Sequence, residues 1–221
     1  MKTLVVLSGG MDSTAALAQA KENGHEVIGA VHFQYGSKHN KQELAAVKAV
    51  TEFFDVPLKV VDLPFINDLF KSDLLQSGGE IPEGHYEDQS MKRTVVPFRN
   101  GIMLAIAAGL AESLGGEMVT IGNHIGDHAI YPDCREEFIK PMFEAIERGT
   151  YARIKIWSPF MHKTKAEIAK VGSELDVPFK LTWSCYKGGK VHCGKCGTCV
   201  ERIEAFAKAG VKDPTVYEVK S

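Results

Sequence analysis

The sequence has almost no net charge and no apolar run of membrane-spanning length, and its five cysteines, an odd number with three crowded into seven residues, argue against a disulfide framework. Its 26 basic and 28 acidic side chains give a formal net charge of −2, which argues against non-specific binding of a polyanion. A membrane helix needs about 20 consecutive apolar residues, and no stretch approaches that length. The first apolar run begins at Leu4, which leaves no room for a signal peptide. We therefore expect a cytoplasmic protein with no membrane partner and no stable nucleic-acid partner.

Four of the five cysteines lie close together near the carboxyl end of the chain. Cys185, Cys193, Cys196 and Cys199 follow the pattern C-x7-C-x2-C-x2-C. Cysteines separated by two residues around a glycine direct their thiolates at one Zn²⁺, and a complete set of four leaves no open coordination position. The pattern therefore predicts a structural zinc site. Cys134 has no histidine beside it in the sequence, so we interpret it as a core or loop thiol rather than a nucleophile.

The chain opens with a strand, a glycine turn and a helix. The apolar run 4–7 ends in Ser-Gly-Gly, and an Ala/Leu-rich helical pattern follows, predicted as a helix from Ala15 to Glu22. Glycines allow close approach of a ligand, and the first amides of a helix have no partner within it, so the turn suits phosphate or pyrophosphate. A Walker loop would be longer and would carry a lysine, whereas this turn carries Asp12. We interpret Asp12 as a helix-dipole partner or a Mg²⁺ ligand. An ordinary capped turn is the alternative.

Strands and helices alternate along the rest of the chain. Further strands are predicted at 27–33, 57–63, 117–122 and 153–157. The alternation predicts an α/β fold, with a doubly wound, parallel five-stranded sheet. Segment 72–94 breaks the pattern, and we favour a lid over a disordered stretch. We place a nucleotide-binding domain at residues 1–181 and a small zinc-binding region at 182–221.

Polar residues cluster where the ligand crevice of such a sheet is expected. Arg99 and Asn100 begin a predicted helix, either as an anion and base-edge clamp or as a cap and an exposed charge. His124 and His128 follow the fourth strand and could form a metal pair, although local hydrogen bonding is the simpler interpretation. Lys165 lies at the start of a helix, against the helix dipole, which suggests a functional role or merely an exposed lysine.

These motifs together resemble a known family. The run Ser-Gly-Gly-x-Asp-Ser is the signature of the PP-loop ATP pyrophosphatases. Val-Pro-x-Arg-Asn, Tyr-Pro-Asp-Cys-Arg-x-Glu-Phe and the four cysteines follow in an order that closely resembles the 7-cyano-7-deazaguanine synthase family of queuosine precursor biosynthesis. The resemblance extends over residues 4–206. The chain departs from the usual pattern at Phe98, where the family has glycine, and at Ala129-Ile130, and His124 and His128 are additions.

The resemblance implies an ATP-dependent ligase that converts 7-carboxy-7-deazaguanine and ammonia to the nitrile through adenylated intermediates, releasing AMP and pyrophosphate. It implies ATP, Mg²⁺ and Zn²⁺ as cofactors, and we expect a homodimer. Asp12, Lys165 and Arg99 are the predicted catalytic residues. Tyr131, Asp133 and Arg135 are the predicted substrate contacts, with Arg135 paired to the carboxylate. The predicted ATP-binding residues are Leu7, Ser8, Gly9, Gly10, Met11, Asp12, Ser13, Thr14, Ala15, Ala16, Leu17, Arg99 and Asn100.

Three alternatives remain open. An RNA-thiolating PP-loop enzyme would need additional RNA-binding surface and a reactive cysteine. A relative could act on a protein terminus or another carboxylate. A zinc-stabilised nucleotide sensor would bind ATP without turnover. Formation of AMP that depends on a carboxylate substrate separates an enzyme from a sensor.

Overall fold

The structure, a computed structural model, describes residues 1–86, 88–124 and 130–218. Five parallel strands form one sheet in the order β3-β2-β1-β4-β5. The strands are β1 (Lys2–Val6), β2 (Glu26–Gln34), β3 (Leu58–Asp62), β4 (Met118–Thr120) and β5 (Lys155–Trp157). Each lies within two residues, at either end, of a strand predicted from the sequence.

Helices connect the strands and cover both faces of the sheet. They are α1 (Met11–Glu22), α2 (Asn40–Phe54), α3 (Pro64–Leu69), α4 (Arg99–Ser113), α5 (Glu136–Gly149), α6 (Lys165–Glu174) and α7 (Gly197–Ala209). Val5 of β1 is buried in a cluster with Leu17 of α1 and Val47 of α2. Leu4, its neighbour, is buried in a different cluster with Leu104 of α4. Successive β1 side chains thus face two helical layers, and the doubly wound α/β fold is confirmed.

The order of strands places a crevice between β1 and β4. The chain runs from β1 to β2 on one side and from β4 to β5 on the other, so the loops at their carboxyl ends diverge. The two loops touch at Gly122, where an added Cβ would lie 2.8 Å from backbone atoms of Asp12 and Ser13. Only a glycine leaves room for this approach.

Segment 72–94, predicted to be a lid or disordered, packs against the rest of the molecule. Leu74 and Leu75 are fully buried. Leu75 forms an isolated β-bridge with Ser37, and Glu83 forms one with Cys196. The segment ends in a short 3-10 helix, Gln89–Thr94. It is therefore docked between the α2 side of the sheet and the cysteines, and its role as a lid stays a prediction.

The carboxyl-terminal region is bound tightly to the sheet. Phe206 of α7 is buried in one cluster with Phe160 and with Ile168 of α6. The backbone N–H of Trp183 donates to the carbonyl of Gly9 at 2.8 Å, which ties this region to the glycine turn. The longest helices, α2 and α4, have 15 residues, and no helix within the described ranges is long and apolar enough to cross a bilayer. The predicted domain boundary at residue 181 stays a prediction.

Candidate active site

A cavity of about 240 Å³ opens at the carboxyl ends of β1 and β4. Its floor is the glycine turn, and its walls come from the end of β2, the starts of α2 and α4, Tyr131 and the segment 183–186. The same space is therefore bordered by the first strand of the chain and by the region that carries the cysteines. This is the position at which doubly wound sheets bind their ligands.

The glycine turn leaves the start of α1 open to the cavity. The helix predicted from Ala15 begins at Met11, directly after the turn, and no side chain caps it. Ser8 Oγ accepts the N–H of Gly10 at 3.2 Å and lies 3.0 Å from Ser13 Oγ. Gly9 has φ +82°, a conformation that favours glycine. Since the first amides of a helix carry partial positive charge and lack partners, the turn can hold an anion.

The predicted catalytic residues Asp12 and Lys165 meet beside this turn. Lys165 Nζ lies 3.2 Å from Asp12 Oδ2 and 2.6 Å from Glu201 Oε2. His124 Nε2 lies 3.7 Å from the same oxygen of Asp12. Asp12 Oδ1 is buried and has no hydrogen-bond partner within the described residues. One oxygen of this carboxylate is thus paired with a cation, while the other can take a further ligand.

Lys165 is positioned by a capping box at the start of its helix. Thr164 Oγ1 accepts the N–H of Glu167 at 3.3 Å, and Glu167 Oε2 accepts the N–H of Thr164 at 2.7 Å. This capping box fixes the first turn of α6. The side chain of Lys165 is 14% exposed, so it is not the surface lysine of the alternative interpretation.

Arg99 is surrounded by tyrosines in the same cavity. Its guanidinium donates to Tyr35 Oη at 3.1 Å and lies 5.6 Å and 5.8 Å from the ring centres of Tyr35 and Tyr131. Burial raises the pKa of Tyr35 to about 12, against the opposing effect of Arg99. The phenol of Tyr35 is therefore neutral, and the charge of Arg99 is available to an anion in the cavity.

The predicted substrate residues are only partly brought together. Tyr131 lines the cavity, with its hydroxyl 3.4 Å from that of Tyr186. Asp133 is buried outside the lining and accepts the N–H of Asn100 at 2.7 Å, which caps α4. Arg135 also lies outside the lining, is 41% exposed, and is 3.9 Å from Glu137. The predicted contacts of Asp133 and Arg135 with substrate stay predictions.

Cys134 and Asn100 are held together at the cavity wall. Asn100 Nδ2 donates to Cys134 Sγ at 3.0 Å, and both residues line the cavity. Phe98, where the family pattern has glycine, has φ +52° and is 57% exposed outside the lining. Gly101 makes room for its ring, since an added Cβ there would lie 2.5 Å from it. The departure at Phe98 therefore leaves the cavity wall unchanged. His128 and Ala129 lie outside the described residues.

The four cysteines predicted as metal ligands converge. All four are buried, and their Sγ atoms lie within 4.8 Å of one another. Backbone N–H groups of Lys195 and Cys196 point at Cys193 Sγ at 3.4 Å and 3.3 Å. Buried sulfurs at this spacing form a metal-binding cluster, and Cys199 lies in the first turn of α7.

Several cavity residues were missed by the sequence interpretation, and three of them lie together. His32 at the end of β2, and His39 and Glu43 at the start of α2, line the wall beside the glycine turn. His39 Nε2 lies 3.3 Å from Glu43 Oε1. For His39 and Glu43, the available signal was their spacing of four residues at the start of the helix that follows β2.

The turn, the uncapped helix and the parallel strand order define an α/β protein of the PP-loop type. The family model described as "Queuosine biosynthesis protein QueC" matches residues 2–210. The chain belongs to the QueC family.

Several curated relatives share nearly the full length. The chain is 53% identical to the 7-cyano-7-deazaguanine synthase of Porphyromonas gingivalis over 216 residues, which cover 98% of this chain and 97% of that one. It is 48% identical to the protein of that name from Caldicellulosiruptor bescii, over 100% of this chain and 99% of that one. It is 47% identical to the protein of that name from Brucella anthropi, over 99% of this chain and 94% of that one.

Proposed function

We propose that the protein converts 7-carboxy-7-deazaguanine and ammonia to 7-cyano-7-deazaguanine at the expense of ATP, in queuosine precursor biosynthesis. The observation that carries this proposal is the match to the QueC family over residues 2–210, in a chain whose cavity lies on the glycine turn. The relatives that bear the name of this synthase align over nearly the whole chain, so the proposal covers the complete cavity.

The chemistry requires two activations and no nucleophilic side chain. A carboxylate oxygen attacks the α-phosphorus of ATP, and pyrophosphate leaves. Ammonia attacks the carboxyl carbon of the adenylate, AMP leaves, a proton is lost and an amide forms. The amide oxygen then attacks a second ATP, and pyrophosphate leaves again. Loss of AMP and of the two amide protons gives the nitrile. Each step needs an anionic leaving group held in position, which is a task for fixed donors and cations.

The glycine turn and its neighbours are suited to that task. The turn and the open start of α1 would hold pyrophosphate, and Lys165 stands beside it. The buried oxygen of Asp12, which has no partner in the part of the chain that the structure describes, fits a hard cation such as Mg²⁺. When bound, Mg²⁺ would offset the charge of the phosphates. Asp12 and Lys165 are accordingly proposed to act at the α-phosphate.

Arg99 is the better candidate for the substrate carboxylate. It lines the cavity between aromatic rings, whereas Arg135 is outside the lining and partly exposed. A guanidinium holds a carboxylate through two parallel hydrogen bonds, and it does so more strongly away from water. Arg135 remains the alternative, and its substitution is the matching comparison.

The cysteine cluster is proposed to bind Zn²⁺ in a structural role. Four thiolates satisfy the tetrahedral preference of zinc and leave no position for substrate. The cluster would fix the segment 183–186, which lines the cavity. We also propose a cytoplasmic homodimer without a stable nucleic-acid partner.

The proposal is tested by incubating the protein with ATP, ammonium and 7-carboxy-7-deazaguanine. We expect two AMP per nitrile formed, with the amide as an intermediate, measured by mass spectrometry. The control omits the acid, and AMP should then stay at background. If AMP forms only when another carboxylate is supplied, that carboxylate is the substrate instead. If the protein binds ATP but forms no AMP, it is a nucleotide sensor.

A further inference from the structure

The wall formed by His32, His39 and Glu43 is rich in hydrogen-bond acceptors. His32 Nδ1 lies 3.0 Å from the carbonyl of Leu7, so this nitrogen carries the proton and Nε2 has a free lone pair. His32 is 1% exposed, and its Nε2 is buried with no partner among the described residues. A buried acceptor without a partner is costly unless a ligand satisfies it.

Glu43 adds an ionised carboxylate to the same wall. Burial raises the pKa of Glu43, but the hydrogen bond from His39 and the charge of Arg99 oppose burial, and the pKa lies below its usual value. Its side chain is 12% exposed and reaches the cavity. A carboxylate of this kind accepts hydrogen bonds and donates none.

The surroundings favour a flat ligand over a single ion. His39 stacks on Tyr186 with ring centres 5.0 Å apart at 29°, and Phe33 and Tyr35 line the same region. In the described part of the chain, the cysteines are the only group of three or more possible metal ligands that lie within 4.8 Å of one another. The acceptors of this wall are therefore too widely spaced for one metal ion, and a planar ring with several donors fits them better.

Under the proposed function, two nitrogen heterocycles must be placed in the cavity, and their edges differ. The adenine edge of ATP presents an amino donor beside a ring nitrogen that accepts. The 7-deazaguanine edge presents a ring N–H beside an amino group, so both positions donate. An ionised carboxylate repels the lone pair of adenine and can accept both donors of the deazaguanine.

We infer that Glu43, together with His32 and His39, binds the aminopyrimidinone edge of the acid substrate and excludes adenine from this subsite. This inference rests on the proposed function. Since an added Cβ at Gly9 would lie 3.0 Å from the carbonyl of Glu43, the subsite directly adjoins the glycine turn. The acid would be held by its ring at one side of the turn, and Arg99 is a cation on the same wall.

The test substitutes Glu43→Gln, which keeps the shape and replaces one acceptor with a donor. The KM for the acid should rise tenfold or more, on the order expected for loss of a hydrogen bond to a charged group, while the KM values for ATP and ammonium stay unchanged. Glu52→Gln, an exposed position on the same helix, is the matched control and should behave as wild type.

A substrate analogue separates recognition from general damage to the fold. Wild type should bind the 2-deamino analogue of the acid about tenfold more weakly than the acid itself, and Glu43→Gln should lose most of this discrimination. If the variant does not fold, the wild-type comparison alone still decides. Equal affinity of wild type for both compounds would overturn the inference, as would an increase confined to the KM for ATP or for ammonium. Absence of any turnover of the acid by wild type would overturn the proposed function as well, whereas normal wild-type turnover with an unaffected variant overturns only the inference.

Discussion

Asp12, in the first turn of α1, lies next to Lys165 and His124 beside the glycine turn. One of its oxygens is paired with Lys165, and the other is buried and open to a ligand. Its position in the first turn of α1 matches the helix dipole, so it contributes to stability as well as to the site. We nonetheless expect substitution of Asp12 to lower the rate of AMP formation more than it lowers the stability of the fold.

We expect Asp12→Asn to reduce AMP formation at least about a hundredfold, because the variant keeps the size of the side chain but loses the charge that a cation needs. Ser8→Ala should act in the same direction, since Ser8 Oγ holds the N–H of Gly10 in the turn. The measurement is AMP released per minute, with the circular dichroism spectrum and unfolding midpoint as checks of the fold. Glu22→Gln, at the exposed far end of α1, is the control. AMP release near the wild-type rate from both turn variants would contradict the role of the turn in adenylation.

Arg99 and Arg135 can be compared directly. Arg99→Lys should raise the KM for the acid at least about tenfold, because a lysine cannot form the two parallel bonds of a guanidinium. Arg135→Lys should change it little, as an exposed ion pair is worth under about 1 kcal/mol. Steady-state kinetics with varied acid at saturating ATP gives both values. The opposite result would restore Arg135 as the carboxylate partner.

The residues of this cavity differ in how readily their role could be predicted from the sequence. Asp12 and Lys165 belong to recognisable local motifs, a glycine turn and a capping box, and both were predicted. His32 and Glu43 belong to no such motif. They meet only because β2 ends beside the glycine turn and α2 packs on Gly9, which is a consequence of strand order.

Among the elements, α4 shows how packing can differ from an apolar pattern. The sequence places Met103, Ile106, Leu110 and Leu114 on one face of this helix. The residues that are buried in the helix include Gly101, Ala107, Ala108 and Ala111. Small side chains let the helix approach the sheet closely, with Leu104 as the one large side chain that is buried. Met103, Ile106 and Leu110 are only partly buried, and Leu114, directly after the helix, is 42% exposed. The apolar periodicity predicted the helix, but which of its faces is buried depends on how closely the helix packs against the sheet.

The contact between the β1 and β4 loops gives a prediction about elements. Gly122→Ala should lower stability by about 1–3 kcal/mol, because its Cβ would lie 2.8 Å from the backbone of α1 and force the loops apart. Gly109→Ala is the matched control, since that exposed helical glycine has nothing within 4 Å of an added Cβ. It should be neutral or slightly stabilising. Chemical denaturation of both variants measures the difference, and equal unfolding free energies would show that the loops can separate freely.

For the molecule as a whole, the sequence predicted the sheet, its parallel strands and the convergence of the four cysteines. Strong local signals account for this success, since β-branched runs and C-x2-C spacings need no knowledge of distant contacts. Segment 72–94 was harder, because it lacks periodicity and is ordered by contacts with Ser37 and Cys196. Tertiary contacts of that kind leave no local pattern.

The metal content of the whole chain is the fourth prediction. We expect one zinc per chain in freshly purified protein, measured by elemental analysis, and Cys196→Ser should lower stability and solubility before it affects chemistry. Cys134→Ser is the control, because this thiol lies outside the cluster. Less than about half an equivalent of zinc in the purified wild type would count against a closed zinc site.

The hydrogen bond from Trp183 to Gly9 has a consequence for co-translational folding of the protein. The glycine turn is synthesised before the segment that holds it, because Trp183 lies far downstream of Gly9, two residues before Cys185. Since domains begin to fold while the chain is still growing, the sheet can form around an incomplete turn. The nascent protein should therefore acquire affinity for nucleotide only after the cysteines have left the exit tunnel.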